Sequence, residues 1–185
     1  MNPQIDISNI KIQTQRLLLR PWEYTDLDEL YEYARVDGVG QRAGWLPHEN
    51  KEQSRQILEK FIQNKKTFAV EYNKKVIGSL GIEFYREDDF PELSSLRGRE
   101  LGYVLSKDFW GLGLMPEAVK AVIDYLFEKE KLDFIIISYY EWNYQSARVT
   151  EKCGLEPIKT TVHETRFGTK EPTVCTIIYL SLIHI

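Results

Sequence analysis

The sequence predicts a single-domain α/β (α+β) fold, with a mixed, mostly antiparallel central sheet flanked by helices. Three observations predict it. Seven segments alternate or run apolar as strands do, and four carry the spacing of amphipathic helices. Their order is β-α-α-β-β-β-α-β-α-β-β, with one helix standing between two strands as a parallel crossover. The 185 residues are 43% hydrophobic and 28% charged, enough to bury one core, and no repeat or linker divides them.

Ile10–Arg20 reads as the first strand, ended by Pro21. Thr25 is the expected N-cap of a helix over Asp26–Arg35, where Leu27, Leu30, Tyr31 and Ala34 recur at helical spacing. Asp37–Asn50 is a loop too long for a turn, and Lys51–Gln63 is a second helix with Ile57, Leu58, Phe61 and Ile62 inward. Thr67–Tyr72 and Lys75–Tyr85 form a hairpin around Asn73–Lys74, with Val76, Gly78, Leu80, Ile82 and Phe84 on one face. The acidic stretch Arg86–Ser95 is expected on the surface. Arg97–Leu105 is the next strand, and Pro116–Lys129 a helix with Val119, Val122, Ile123 and Leu126 as its apolar stripe. Asp133–Ser138 runs apolar without a break, as a centrally buried strand does. A short helix over Gln145–Lys152 stops at Gly154, and Leu155–Glu164 and Thr173–Leu180 are the last strands. No function is placed on Ser181–Ile185, which lacks a polar finish.

Residues 99–118 carry the most information. A strand ending in Leu105 passes through a polar break into a loop with Gly111 and Gly113, which opens directly onto a helix. Glycines let the backbone approach a ligand, and unpaired amides at a helix start attract anions, so this is a phosphate seat. A Walker-type loop is excluded because no Gly-Lys-Ser/Thr follows Gly113. A dinucleotide fingerprint is excluded because Pro116 holds the position of its third small residue.

Thr14–Trp22, Arg99–Ala118 and Asn143–Leu155 together resemble the GCN5-related N-acetyltransferases, in the branch of the ribosomal-protein alanine and serine acetyltransferases. The resemblance runs from about residue 10 to about residue 180. It implies that family's acyl-CoA N-acyltransferase fold and an acetyl-CoA-dependent transfer to a primary amine by direct attack in a ternary complex. The acceptor would be a protein N-terminus of the ribosomal-protein type or a small-molecule amine. The alternative is a domain of the same fold that binds acyl-CoA or a protein partner without turnover.

On that resemblance Tyr103, Val104 and Leu105 line the pantetheine arm, and Trp110, Gly111, Leu112, Gly113, Leu114 and Met115 wrap the pyrophosphate. A backbone amide in the strand would hold the oxyanion. Asn143 would contact the arm, and Ser146 would lie near the sulfur to protonate the leaving thiolate. Relatives with a catalytic Tyr seven residues after that Asn have Thr150 here, which favours Ser146. Glu100 and Glu83 are the candidate bases for the acceptor ammonium, with Glu100 first because it directly precedes the pantetheine segment. Trp45 and His48 are the candidate acceptor-binding residues of the Asp37–Asn50 loop.

A net charge of −4 argues against general nucleic-acid binding. No apolar run is long enough to span a bilayer, and no secretory pattern opens the chain, so a cytoplasmic setting away from membranes is expected. Cys153 and Cys175 give no disulfide framework, and scattered histidines build no metal site. Monomer and homodimer both remain open.

Overall fold

The computed structural model describes residues 1–180. Eight strands form one sheet in the order β1-β2-β3-β4-β5-β6-β8-β7. They are β1 (Ile12–Gln13), β2 (Leu17–Pro21), β3 (Thr67–Tyr72), β4 (Lys75–Glu83), β5 (Gly98–Leu105), β6 (Phe134–Tyr140), β7 (Glu156–Glu164) and β8 (Lys170–Tyr179). Every pairing is antiparallel except β5 with β6, the crossover that the sequence order requires. The helices are α1 (Leu27–Ala34), α2 (Lys51–Asn64), α3 (Leu114–Glu128) and α4 (Tyr144–Lys152).

The expected first strand is two short ones, because Thr14 turns the chain by accepting and donating bonds with Leu17. Thr25 is not a cap. It lies inside a short 3-10 turn (Tyr24–Asp26) that Glu23 and Asp26 close as a capping box. Asn50 caps α2, its side chain accepting from the Gln53 amide. Asn73 and Lys74 both adopt positive φ (50° and 64°), the geometry of a two-residue hairpin turn.

The expected single face of β4 breaks at a bulge. Val76 pairs with Glu71 and Gly78 with Val70, so Ile77 is the extra residue. Val76 therefore packs with Ala69 and Leu58 on one side, and Ile77, Leu80 and Ile82 pack with α3 on the other. Phe84 lies beyond the strand and is half exposed, beneath the buried Arg99 guanidinium. Residues 86–95 are more than surface, since Phe90 and Leu93 are buried against Tyr85, Phe134 and Ile136.

α3 and α4 cover one face of the sheet, joined by Ile5 and Ile7. α1 and α2 cover the other through Leu30, Tyr33 and Leu58. α3 begins at Leu114, two residues before Pro116, which still falls in the first turn where no amide hydrogen is needed. The segment Ser181–Ile185, given no function from sequence, lies outside the described residues. No described helix is long and apolar enough to cross a membrane.

Candidate active site

The parallel pair β5–β6 is short. Gly98, Arg99 and Glu100 pair with Phe134, Ile135 and Ile136, and pairing ends there. Both strands continue, β5 held by β4 as far as Leu105 and β6 held by β8 as far as Tyr140. Their inner edges therefore part, leaving a cavity of about 540 Å³ lined from Glu100 to Leu105 and from Ile137 to Tyr140. The Ser106 amide turns toward β4, where it bonds the Ile77 carbonyl at 2.7 Å. Strand alternation then turns the backbone groups of Tyr103 and Leu105 into the gap. The Leu105 carbonyl is taken by the Trp110 indole at 2.8 Å, which leaves the Tyr103 peptide groups facing open space.

At the wide end of the gap, Gly111 and Gly113 hold φ of 78° and 74° and deliver the chain into α3. Nothing lies within 4 Å of where a Cβ on Gly111 would stand, so the loop is open on its ligand side. Leu114 and Met115 bury their side chains in the core, which leaves their amides at the helix start without intrahelical acceptors. Leu112 is half exposed and its side chain does not line the cavity. The cradle suits a diphosphate, and the parted strands suit an extended amide-bearing arm.

Adjacent residues of β5 point to opposite faces, which divides the site into two halves. On the α3–α4 face, the Tyr103 hydroxyl stands 2.8 Å from Ser146 Oγ. Burial raises the Tyr103 pKa, and the bond to Ser146 only partly offsets it, so the phenol stays protonated. Asn143 is buried and caps α4 by accepting from the Ser146 amide at 3.4 Å. Thr150 is buried with its hydroxyl spent on the Ala147 carbonyl, away from the cavity.

On the opposite face, Glu100 stands directly across from Glu83 in the β4–β5 register. Both line the cavity, and Glu83 is ion-paired with Lys66. Burial raises the Glu100 pKa above the usual carboxylate range; a contact with Ser138 lowers it, and the charges of Glu83 and Asp89 raise it further. Gly102, next on this face, has nothing within 4 Å of its missing Cβ and keeps the floor open. His163 on β7 lines the same cavity, its imidazole kept toward the neutral form by burial. Sequence spacing carried no sign of it, because only the β7–β8 pairing brings it here.

A 3-10 turn (Gly40–Ala43) in the long α1–α2 loop roofs this half. Arg42 crosses to Asn143, exchanging two bonds of 3.3 Å, and its guanidinium lies over the rings of Trp110 and Trp142. The Gly44 carbonyl accepts from the Arg166 amide of the β7–β8 turn at 2.9 Å. Trp45 and His48 do not reach the cavity. The Trp45 ring fills the space a side chain on Gly40 would need, and buried His48 bonds Ser54 Oγ at 2.7 Å. The cavity is lined from the loop that sequence singled out for acceptor binding, but by Val39, Arg42 and Ala43.

A family model described as the acetyltransferase (GNAT) domain matches residues 16–156. The chain belongs to the GNAT family of acetyltransferases. It is 29% identical over 132 residues to an uncharacterized N-acetyltransferase, p20, of Bacillus licheniformis, across 67% of this chain and 70% of that one. The GNAT-family acetyltransferase structure from Bacillus anthracis superposes with a TM-score of 0.80 at 22% identity, covering 92% of this chain and 98% of the other. A ribosomal-protein-S5-alanine acetyltransferase from Vibrio fischeri has the same fold, with a TM-score of 0.68 at 21% identity over 92% and 97% of the two chains. As a GNAT N-acetyltransferase the protein uses acetyl-CoA as its co-substrate. Among the described residues no cluster of His, Cys, Asp and Glu could hold a metal ion.

Proposed function

We propose that the protein acetylates a primary amine by direct attack on acetyl-CoA within a ternary complex. The acceptor is a protein N-terminal α-amine of the ribosomal-protein type or a small-molecule amine. The carrying observation is the division of one gap between two chemistries. Hydroxyl groups able to give a proton lie on one face of β5, and a carboxylate able to take one lies on the other.

Glu100 accepts the ammonium proton, directly or through water, and burial, which raises its pKa, makes it a stronger base than an exposed carboxylate. The free amine attacks the thioester carbonyl carbon as the C–S bond yields to the new C–N bond. The oxyanion is held by the backbone amide of Tyr103, turned into the gap. Glu100 releases the ammonium proton to solvent before the attack and takes the second proton as the C–N bond forms. Ser146 passes its proton to the departing thiolate, Tyr103 re-protonates Ser146, and water returns a proton to Tyr103, so in the transfer step one proton leaves the nitrogen and one reaches the sulfur. Glu83, tied to Lys66, shapes the field around Glu100.

The test is acetyl-CoA with a panel of N-terminal peptides and small amines, following free thiol release and the mass of the acetylated product. Expected is thiol release that depends on one acceptor class, with acetyl on its amine. Donor binding without release for any acceptor would overturn the reading.

A further inference from the structure

The turn between β1 and β2 reaches the phosphate loop, 96 or more residues away in sequence, through four short bonds. The Thr14 hydroxyl and the Arg16 amide both donate to Glu117 Oε1, at 2.6 and 2.8 Å. Arg16 Nε donates to Glu117 Oε2 at 2.7 Å, and Arg16 Nη1 to the Leu112 carbonyl at 2.9 Å. Arg16 Nη2 lies 3.7 Å from where a Cβ on Gly113 would stand.

Each bond has a consequence for an anion at the start of α3. Glu117 sits in the first helical turn, where its negative charge favours the helix but opposes a diphosphate at the same end. Arg16 supplies the compensating cation. In a trans peptide the Leu112 carbonyl and the Gly113 N–H point in opposite directions. Holding that carbonyl out toward Arg16 therefore turns the Gly113 N–H inward, away from the β1–β2 turn. Gly111 and Gly113 confer freedom on the loop, and something must remove that freedom for the amides to converge.

We propose that Arg16, fixed on Glu117, is a positioning residue that holds the Leu112 peptide so that the loop amides face the donor's pyrophosphate. This deepens the donor half of the proposed function and rests on the pyrophosphate lying in that loop. Arg16 touches no reacting atom. Its effect must appear only with donors that carry the pyrophosphate.

Arg16→Ala, Arg16→Lys and Glu117→Gln are compared with the parent protein using acetyl-CoA and S-acetylpantetheine, which ends before the phosphates. CoA binding is measured by calorimetry alongside. Loss of charge-assisted bonds of this kind predicts that Arg16→Ala raises KM and Kd for the CoA donor about tenfold, with kcat/KM for S-acetylpantetheine unchanged. Arg16→Lys should fail to rescue, since an ammonium cannot hold Glu117 and the Leu112 carbonyl at once. Equal losses on both donors, full rescue by lysine, or unchanged CoA affinity would each overturn the proposal. Absence of turnover in the parent protein would instead count against the proposed function, while the calorimetric ratio would still report on Arg16.

Discussion

The two faces of the parted strands are built by different means. The half proposed for the donor is backbone: the free inner edge of β5, two glycines in positive φ and the start of α3, all within one stretch of about twenty residues. The half proposed for the acceptor is side chains drawn from distant elements: Glu83 on β4, Glu100 on β5, Arg42 from the α1–α2 loop and His163 on β7. A backbone device can change its side chains and still seat the same cofactor. A side-chain device changes its ligand with each substitution.

The sharpest way to break this comparison is at Glu100. Glu100→Gln should lower kcat by roughly 10² to 10⁴, as removal of a general base does, with KM for acetyl-CoA little changed. The acid limb of the pH–rate profile should vanish with it, since the base works only once ionised, above a pKa that burial has raised. A parent-like profile in Glu100→Gln and its loss in His163→Gln would move the base to the imidazole.

Next in size is the hydroxyl pair. Ser146→Ala should cost about one to two orders of magnitude in kcat, and Tyr103→Phe somewhat less because Ser146 remains beside the sulfur. Steady-state rates with an acceptor held at saturation measure both. A larger loss in Tyr103→Phe than in Ser146→Ala would reverse their order in the proton path.

Two glycines then separate the halves directly. Gly111→Ala forces a side chain into positive φ, at about 1–2 kcal/mol, and should raise KM for acetyl-CoA about tenfold without touching the acceptor KM. Gly102→Val puts methyl groups into the open floor beside Glu100 and should do the opposite, raising the acceptor KM alone. Crossed effects would show that the halves are not independent.

The smallest effect is on stability. Because the Glu100 pKa is raised in the fold, its contribution to stability is fully present below the unfolded carboxylate pKa. It is lost as pH rises through the folded pKa. Glu100→Gln should therefore raise Tm at pH 8, by about 2–4 °C for each kcal/mol relieved, and give no gain near pH 4. Thermal melts at the two pH values measure it.

The same division explains what sequence disclosed. The glycine loop before α3 was legible because local chain geometry demands particular residues, glycine where φ is positive. The hairpin at Asn73–Lys74 was legible for a similar local reason, whereas Asn50 was read only as a loop end and its cap on α2 was missed. The bulge at Ile77 was not, because an extra residue leaves no mark unless the partner strand's register is known. Nor was the split after Gln13, where Thr14 spends its hydroxyl on the turn. Glu83 and Glu100 were named from their strands, but their face-to-face register is a tertiary fact. Trp45 and His48 drew notice for their residue types and turn out to pack the loop, Trp45 against Gly40 and His48 against Ser54 of α2, while the less conspicuous Arg42 reaches across the gap. Tyr103 was placed for its backbone; its hydroxyl bond to Ser146 depends on how α4 docks against β5.

The parting of β5 from β6 has a further consequence for the protein as a solute. Two unpaired strand edges facing each other across a gap are a template on which a foreign strand can add, the hazard met at any open sheet edge. Here the opening is guarded. The Gly44–Arg166 bond ties the loop to the β7–β8 turn, and Arg42 spans to Asn143 between two tryptophans. A foreign strand approaching this opening therefore meets the loop and its arginine before it meets free backbone. The bridge from Arg42 to Asn143 thereby also guards the cleft against strand addition.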